Sequence, residues 1–260
     1  MKVMRQLNRL AAGTAVVAAA AIASVGIAQA DGGPGRARVA YETPWNWSGV
    51  YFGVHSGFAW TDLDASFPTG IPNFNVSHDA FVVGTHLGIQ HQWGSVVLGV
   101  EGSWTTAFRD DFASTDCPPP NNVAFTCAAR INDILSVGPR LGWAMGKWMP
   151  YITGGYANAR FAEKISIKAA PANPFEDSQR HGGWFIGGGV DMAFSHGWTI
   201  GLDYRHYDLD SANYVPSRNI AGGAQDPLIG AANTADVTAD VITLRVSWKF
   251  GRPEPVVPLK

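Results

Sequence analysis

The chain has 260 residues, of which 46% are hydrophobic and 15% charged, with 30 Gly and 10 Trp. That charge fraction lies well below the ~25% of ordinary soluble proteins. The near balance of 19 Lys and Arg against 21 Asp and Glu gives no support for a basic nucleic-acid footprint, and no nucleic-acid partner is expected.

The first element is a leader. Lys2, Arg5 and Arg9 form a positive segment, an uncharged Ala-rich run follows from Ala11, and Ala28-Gln29-Ala30 precedes Asp31. This is the pattern of a secretory signal peptide over residues 1–30, cleaved after Ala30. The alternative, an N-terminal anchor, fits an Ala-rich run with a good cleavage site less well. Loss of the three leader cations moves the net charge from −2 to −5. Residues 31–44 read as a periplasmic linker. No later run of 18 apolar residues offers a transmembrane helix, which leaves a soluble exported protein or a membrane β-barrel.

From Trp47 onward, period-2 alternation dominates. In Trp47–Trp60, Val50, Phe52, Val54, Phe58 and Trp60 share one face. Similar strands are expected over Phe81–Trp93, Val96–Phe108, Ile134–Trp143, Tyr151–Phe161, Trp184–Phe194, Trp198–Tyr207 and Asp240–Phe250. The facing of Tyr151–Phe161 is ambiguous. Pro139 marks a bulge or a weakly paired position in its strand. Tight turns fall at Gly94–Ser95, Gly146–Lys147 and His196–Gly197. Long polar connections lie near 62–79, 109–130, 162–182 and 208–239. Cys117 and Cys127, the only two cysteines, flank a Pro/Asn-rich stretch and should pair in an oxidising compartment.

Eight strands with alternating short and long connections describe an antiparallel up-and-down transmembrane β-barrel over residues 45–250 with four long extracellular loops. The faces favour a membrane barrel over a soluble one. One face is aliphatic and aromatic. The other carries Gly, Ser, Thr and His with Glu101, Arg140, Asp191, Asp203, Arg205, Arg245 and Lys249, which a dry soluble core would not tolerate. Trp45, Trp47, Trp93, Trp143, Trp148, Trp198 and Trp248 fall at short-turn ends, and Trp60, Trp104 and Trp184 at long-loop ends, as two aromatic girdles would.

WNWSGVYFGVHSGFAW resembles the opening strand of the small outer-membrane β-barrel family of alphaproteobacteria, related to opacity proteins and the OmpA-like transmembrane domain. LGVEGSW, RLGWAMGKWMPYITGGYA, GWFIGGGVDMAF, WTIGLDYRHYDL and VITLRVSWKF resemble its later strands in order. The resemblance implies an eight-stranded, porin-like outer-membrane protein with a structural or host-contact role. It also implies that Trp248 and Phe250, on the last strand, carry the signal read by the barrel assembly machinery. One departure is the Pro-rich tail of residues 251–260 after Phe250.

Enzyme chemistry is not expected. No His has Ser at i+2, the arrangement of lipid A deacylases, and no paired Asp and His set stands out. His55 and His86 share the lumen face but lack a third ligand at a recognisable spacing, so no metal or other cofactor is expected. The lumen charges either line an ion pathway or close it as a salt-bridge plug. An eight-stranded barrel favours the plug, with Glu101 and Arg140 as the foremost pair. The expected role is structural and surface-interacting, with outer-membrane lipid and lipopolysaccharide, the assembly machinery, and host or envelope molecules at the loops as partners. The alternatives are a small-solute pore and hemin capture, for which His78, Tyr207 and Tyr214 are the candidate ligands.

Overall fold

The computed structural model describes residues 45–66, 74–108, 113–117, 124–195, 197–219, 225–227 and 233–250; the expected leader, linker and C-terminal tail lie outside these described residues. The strands are β1 (Gly49–Ser66), β2 (Phe74–Trp93), β3 (Val96–Ala107), β4 (Ala113–Asp116), β5 (Phe125–Trp143), β6 (Trp148–Ile167), β7 (Ala170–Ser195), β8 (Trp198–Tyr214), β9 (Ser217–Asn219), β10 (Gln225–Pro227) and β11 (Asn233–Phe250). Eight of them form a closed antiparallel ring in the order β1, β2, β3, β5, β6, β7, β8, β11. Pairing of β11 with β1, from Val50 opposite Phe250 to Ser66 opposite Thr234, closes it. Closure satisfies the backbone between neighbouring strands and leaves the ring no free edge, which a bilayer demands. The short β4 pairs with β5, β9 with β7, and β10 with β9, all outside the ring.

Two short turns rest on glycine. Gly94 and Gly146 have φ of 59° and 62°, a left-handed geometry that side chains resist. At Pro139 the ladder to β6 is interrupted. Val137 opposite Tyr156 and Arg140 opposite Thr153 keep one register, while Gly138 and Pro139 have no ladder partner there. The Thr153 hydroxyl donates to the Pro139 carbonyl at 3.0 Å instead.

The outward face in the middle of the barrel is apolar. Phe52, Leu87, Ile89, Val100, Val137, Ile152, Ile186 and Leu244 are all about half exposed. So large a continuous apolar surface matches a lipid-facing band. The facing of β6 is settled: Tyr151, Thr153, Ala157 and Phe161 point inward, and Ile152 and Tyr156 outward.

Two expectations need correction. First, the strands run well into the segments read as loops: β1 to Ser66, β6 to Ile167, β7 back to Ala170 and β11 back to Asn233. The apolar side of the alternation changes face there. Beyond Trp60 the outward positions are polar, as at Asp62 and Asp64, while Leu63 and Ala65 point inward and are buried. A search for lipid-facing alternation stops where the lipid stops, although the ladder continues. Second, Trp47 is not a girdle residue. It is 2% exposed and packs inside the short-turn end with Val97, Met149 and Ala193, with Trp45 against the same cluster. Trp93, Trp143, Trp148 and Trp198 remain exposed at that end, and Trp60, Trp104 and Trp184 at the other.

Candidate functional site

The interior is filled in three layers. The middle one is ionic. Alternation directs Glu101 from β3, Arg140 from β5, Asp191 from β7, Asp203 and Arg205 from β8, and Arg245 from β11 to the axis, all buried. Glu101 is the hub. Its Oε1 accepts from Arg205 Nη2 at 2.6 Å, and its Oε2 from Arg245 Nη2 at 2.5 Å. The Tyr51 hydroxyl donates to the same Oε2 at 2.7 Å. Arg140 stands 3.6 Å from Glu101 and bonds chiefly to Asp191. Arg205 Nε donates to Asp203 Oδ1 at 2.7 Å, and the Tyr151 hydroxyl to Asp203 Oδ2 at 2.6 Å. Three guanidinium groups thus face three carboxylates, which offsets the cost of removing the charges from water.

Glycines make room for this layer. A Cβ on Gly88 would run into the Tyr51 ring, and one on Gly189 into Tyr151. Tyr151 in turn lies under Arg140, whose guanidinium carbon is 3.6 Å from the ring centroid. Tyr51 has the inward parity of β1, and Tyr151 lies on the strand whose facing is ambiguous in the sequence; both belong to the layer. Lys249 does not join it. That residue sits at the short-turn rim over the Trp45 ring and donates to the Asn46 carbonyl.

Next to the ionic layer lie His55 and His86, stacked with ring centroids 5.5 Å apart. Their Nδ1 atoms are 3.3 Å apart, and their Nε2 atoms meet Thr105 at 2.9 Å and Ser247 at 2.8 Å. The His86–Ser247 contact crosses strands far apart in sequence, so no local motif announces it. Among the described residues no group of three or more His, Cys, Asp or Glu could hold a metal ion. The open space beside these rings is about 10 Å³, room for about one water.

The other two layers close the ends. Toward the long-loop end the interior becomes apolar, with Ala59, Leu63, Val82, Ile131, Phe161, Phe185, Leu209 and Val237 in one buried cluster. At the short-turn end the Trp47 backbone is tied to β2, its carbonyl accepting from Gln90 and its N–H donating to Gln92, both at 2.8 Å.

Above the apolar layer is a polar group not foreseen from sequence. His181 Nε2 meets the Tyr214 hydroxyl at 2.6 Å, and His181 Nδ1 the Asp210 carbonyl at 2.8 Å. Buried Glu163 accepts from Asn233 Nδ2 at 3.0 and 3.2 Å. Burial pushes the Glu163 carboxyl up to about 7, against the Asn233 hydrogen bond, and burial lowers His181. The only sequence signal was a Glu at an inward position of an unassigned strand extension.

The hemin candidates do not converge. Tyr207 and Tyr214 are both buried inside, near opposite ends of the apolar layer, and Tyr214 is engaged by His181. His78 lies on β2 opposite Thr61. Cys117 and Cys127 form a disulfide, packed with Ile165 and Phe175 in a small cluster of its own.

A closed ring with an apolar exterior and a polar, paired lumen matches one family pattern. The family model for the outer membrane protein beta-barrel domain matches residues 14–250. The chain belongs to this family. The chain is located in the outer membrane, as this family and the outer-membrane names of its relatives indicate. It is similar to the 31 kDa outer-membrane immunogenic protein of Brucella melitensis, 26% identical over 67% of this chain and 76% of that protein. The 25 kDa outer-membrane immunogenic protein of Brucella abortus is 22% identical over 82% of this chain and 89% of its own. Among solved structures, the attachment invasion locus protein Ail of Yersinia pestis aligns with TM-score 0.38 and 14% identity, over 78% of this chain and 99% of that one.

Proposed function

We propose that this outer-membrane barrel is a closed, non-catalytic anchor whose role is structural and surface-interacting. The observation that carries the reading is the filled lumen: three Arg and three carboxylates interlock across the axis, an apolar layer lies beyond them, and Trp47 closes the short-turn end. A solute would have to displace buried, hydrogen-bonded charges to pass, at a cost of several kcal/mol. The short-turn end is periplasmic and the long-loop end outward, with the leader removed after Ala30. The extended strands then stand above the membrane as a rigid platform for host or envelope molecules. The word immunogenic in the names of the Brucella relatives supports a surface reachable from outside. Trp248 and Phe250 supply the assembly signal on the closing strand.

Liposome swelling with small sugars tests the reading. Vesicles carrying the purified barrel should swell no faster than empty ones. Swelling that scales with protein content would favour the pore alternative, and a Soret shift on hemin titration the hemin one.

A further inference from the structure

Directly opposite each other on the outer face of β6 and β7 stand Arg160 and Arg180. Like charges at opposed positions of a sheet repel, so such a pair favours anions beside it. Asn158 Oδ1 accepts from Arg180 Nη1 at 2.8 Å, and Asp133 of β5, opposite Arg160 in the ladder, stands 3.6 Å from Arg180, so two guanidinium groups flank one carboxylate and a net positive charge remains. Exposed Arg160 makes no hydrogen bond or ion pair among the described residues. Arg130 stands one row further out, opposite Ala162.

Height identifies the anion. Tyr156 and Trp184, exposed by 56% and 49%, face each other on the same two strands and belong to the long-loop girdle. The arginine pair lies four residues beyond them. At about 3.3 Å per residue and about 40° of tilt this is roughly 10 Å above the girdle, within headgroup reach of a long guanidinium side chain. On four other strands the outward positions from the girdle row upward have the opposite sign. Asp79, Asp208 and Asp240 stand opposite girdle tryptophans, and Asp62, Asp64 and Asp236 lie two to four residues beyond them, all facing outward on β1, β2, β8 and β11 in rows that contain no Lys or Arg. An anionic headgroup is repelled there and admitted at β6–β7.

We infer that Arg160 and Arg180 form a docking site for the phosphate of a phosphorylated glycolipid in the outer leaflet. The bidentate fork of each guanidinium suits two phosphate oxygens. The site rests on the outward placement of the long-loop end proposed above.

The test measures binding of diphosphorylated and fully dephosphorylated lipid A to the folded barrel in detergent, for wild type, R160A/R180A and R160K/R180K, with heat-modifiable gel mobility confirming folding. The wild type should prefer the diphosphorylated form by roughly tenfold. The alanine pair should lose that preference and the lysine pair should keep part of it. Equal binding of both lipids by the wild type, or an unchanged preference in the folded alanine pair, would overturn the site. Competition by inorganic phosphate at matched concentration would overturn the lipid as its source. Protease added to whole cells tests the orientation separately: cleavage in the long loops supports the outer leaflet, and full protection overturns that placement whatever the in vitro binding shows.

Discussion

Glu101 illustrates how much of the interior depends on one side chain. It accepts from Arg205, Arg245 and Tyr51, and Arg140 stands at 3.6 Å. Replacement by Ala leaves three buried guanidinium groups against two carboxylates. Glu101→Ala should therefore destabilise the barrel by about 3–5 kcal/mol, read as a lower urea midpoint for loss of the heat-modifiable band. Leu87 and Leu202, 56% and 44% exposed, face the other way. Arg at either should cost about 2–4 kcal/mol if it lies near the bilayer midplane, measured by the same titration in lipid vesicles. Alternation alone placed Glu101, Arg140, Asp191, Asp203, Arg205 and Arg245 on the lumen face. It could not tell that Arg140 bonds chiefly to Asp191, because the hub depends on strand register and on which glycines leave room. Lys249 shares their parity but sits at the rim, where the contacts change.

Among the elements, the strand extensions beyond the membrane are the part least visible in the sequence. Glu163, His181 and Asn233 aside, their inward residues are largely apolar and their outward ones polar, the reverse of the lipid-facing stretch, and one alternation rule cannot follow both. Within them, Glu163 makes the outer end sensitive to pH. Its folded value of about 7 stands above the ordinary 4.5, so the folded strands keep a proton that the unfolded chain releases between those values. The contribution is whole below about pH 4.5 and is lost as pH rises through about 7, by up to about 3 kcal/mol. His181 has the opposite sign: burial lowers it, so its contribution is lost as pH falls below about 6.5. Amide exchange in β6 and β11 near Glu163 and Asn233 should therefore be faster at about pH 8.5 than at about pH 6.5 after correction for intrinsic rates. Glu163→Gln should abolish that difference. The disulfide acts on another part of this end. Cys117 and Cys127 pack with Ile165 and Phe175, apart from the main apolar layer. Replacing both with Ser should leave assembly and heat modifiability intact while limited proteolysis cuts sooner between β3 and β5; failure to assemble would show that the bridge supports the ring itself.

As a whole molecule, the ring of eight and its inside-out polarity were legible because a bilayer constrains sequence strongly. Every second residue of a spanning strand must suit lipid, and each short turn needs a residue such as Gly94 that accepts positive φ. Closure of the lumen was legible only as a preference for a plug in so narrow a barrel. The interlocking of Glu101 with Arg205 and Arg245, the apolar layer beyond it and the inward turn of Trp47 give that preference its physical content. The most direct test of a sealed lumen is single-channel recording of the purified, folded protein in planar bilayers. The account predicts no stepwise current at moderate voltage in molar salt. Reproducible open steps of uniform size from the wild-type protein would contradict it.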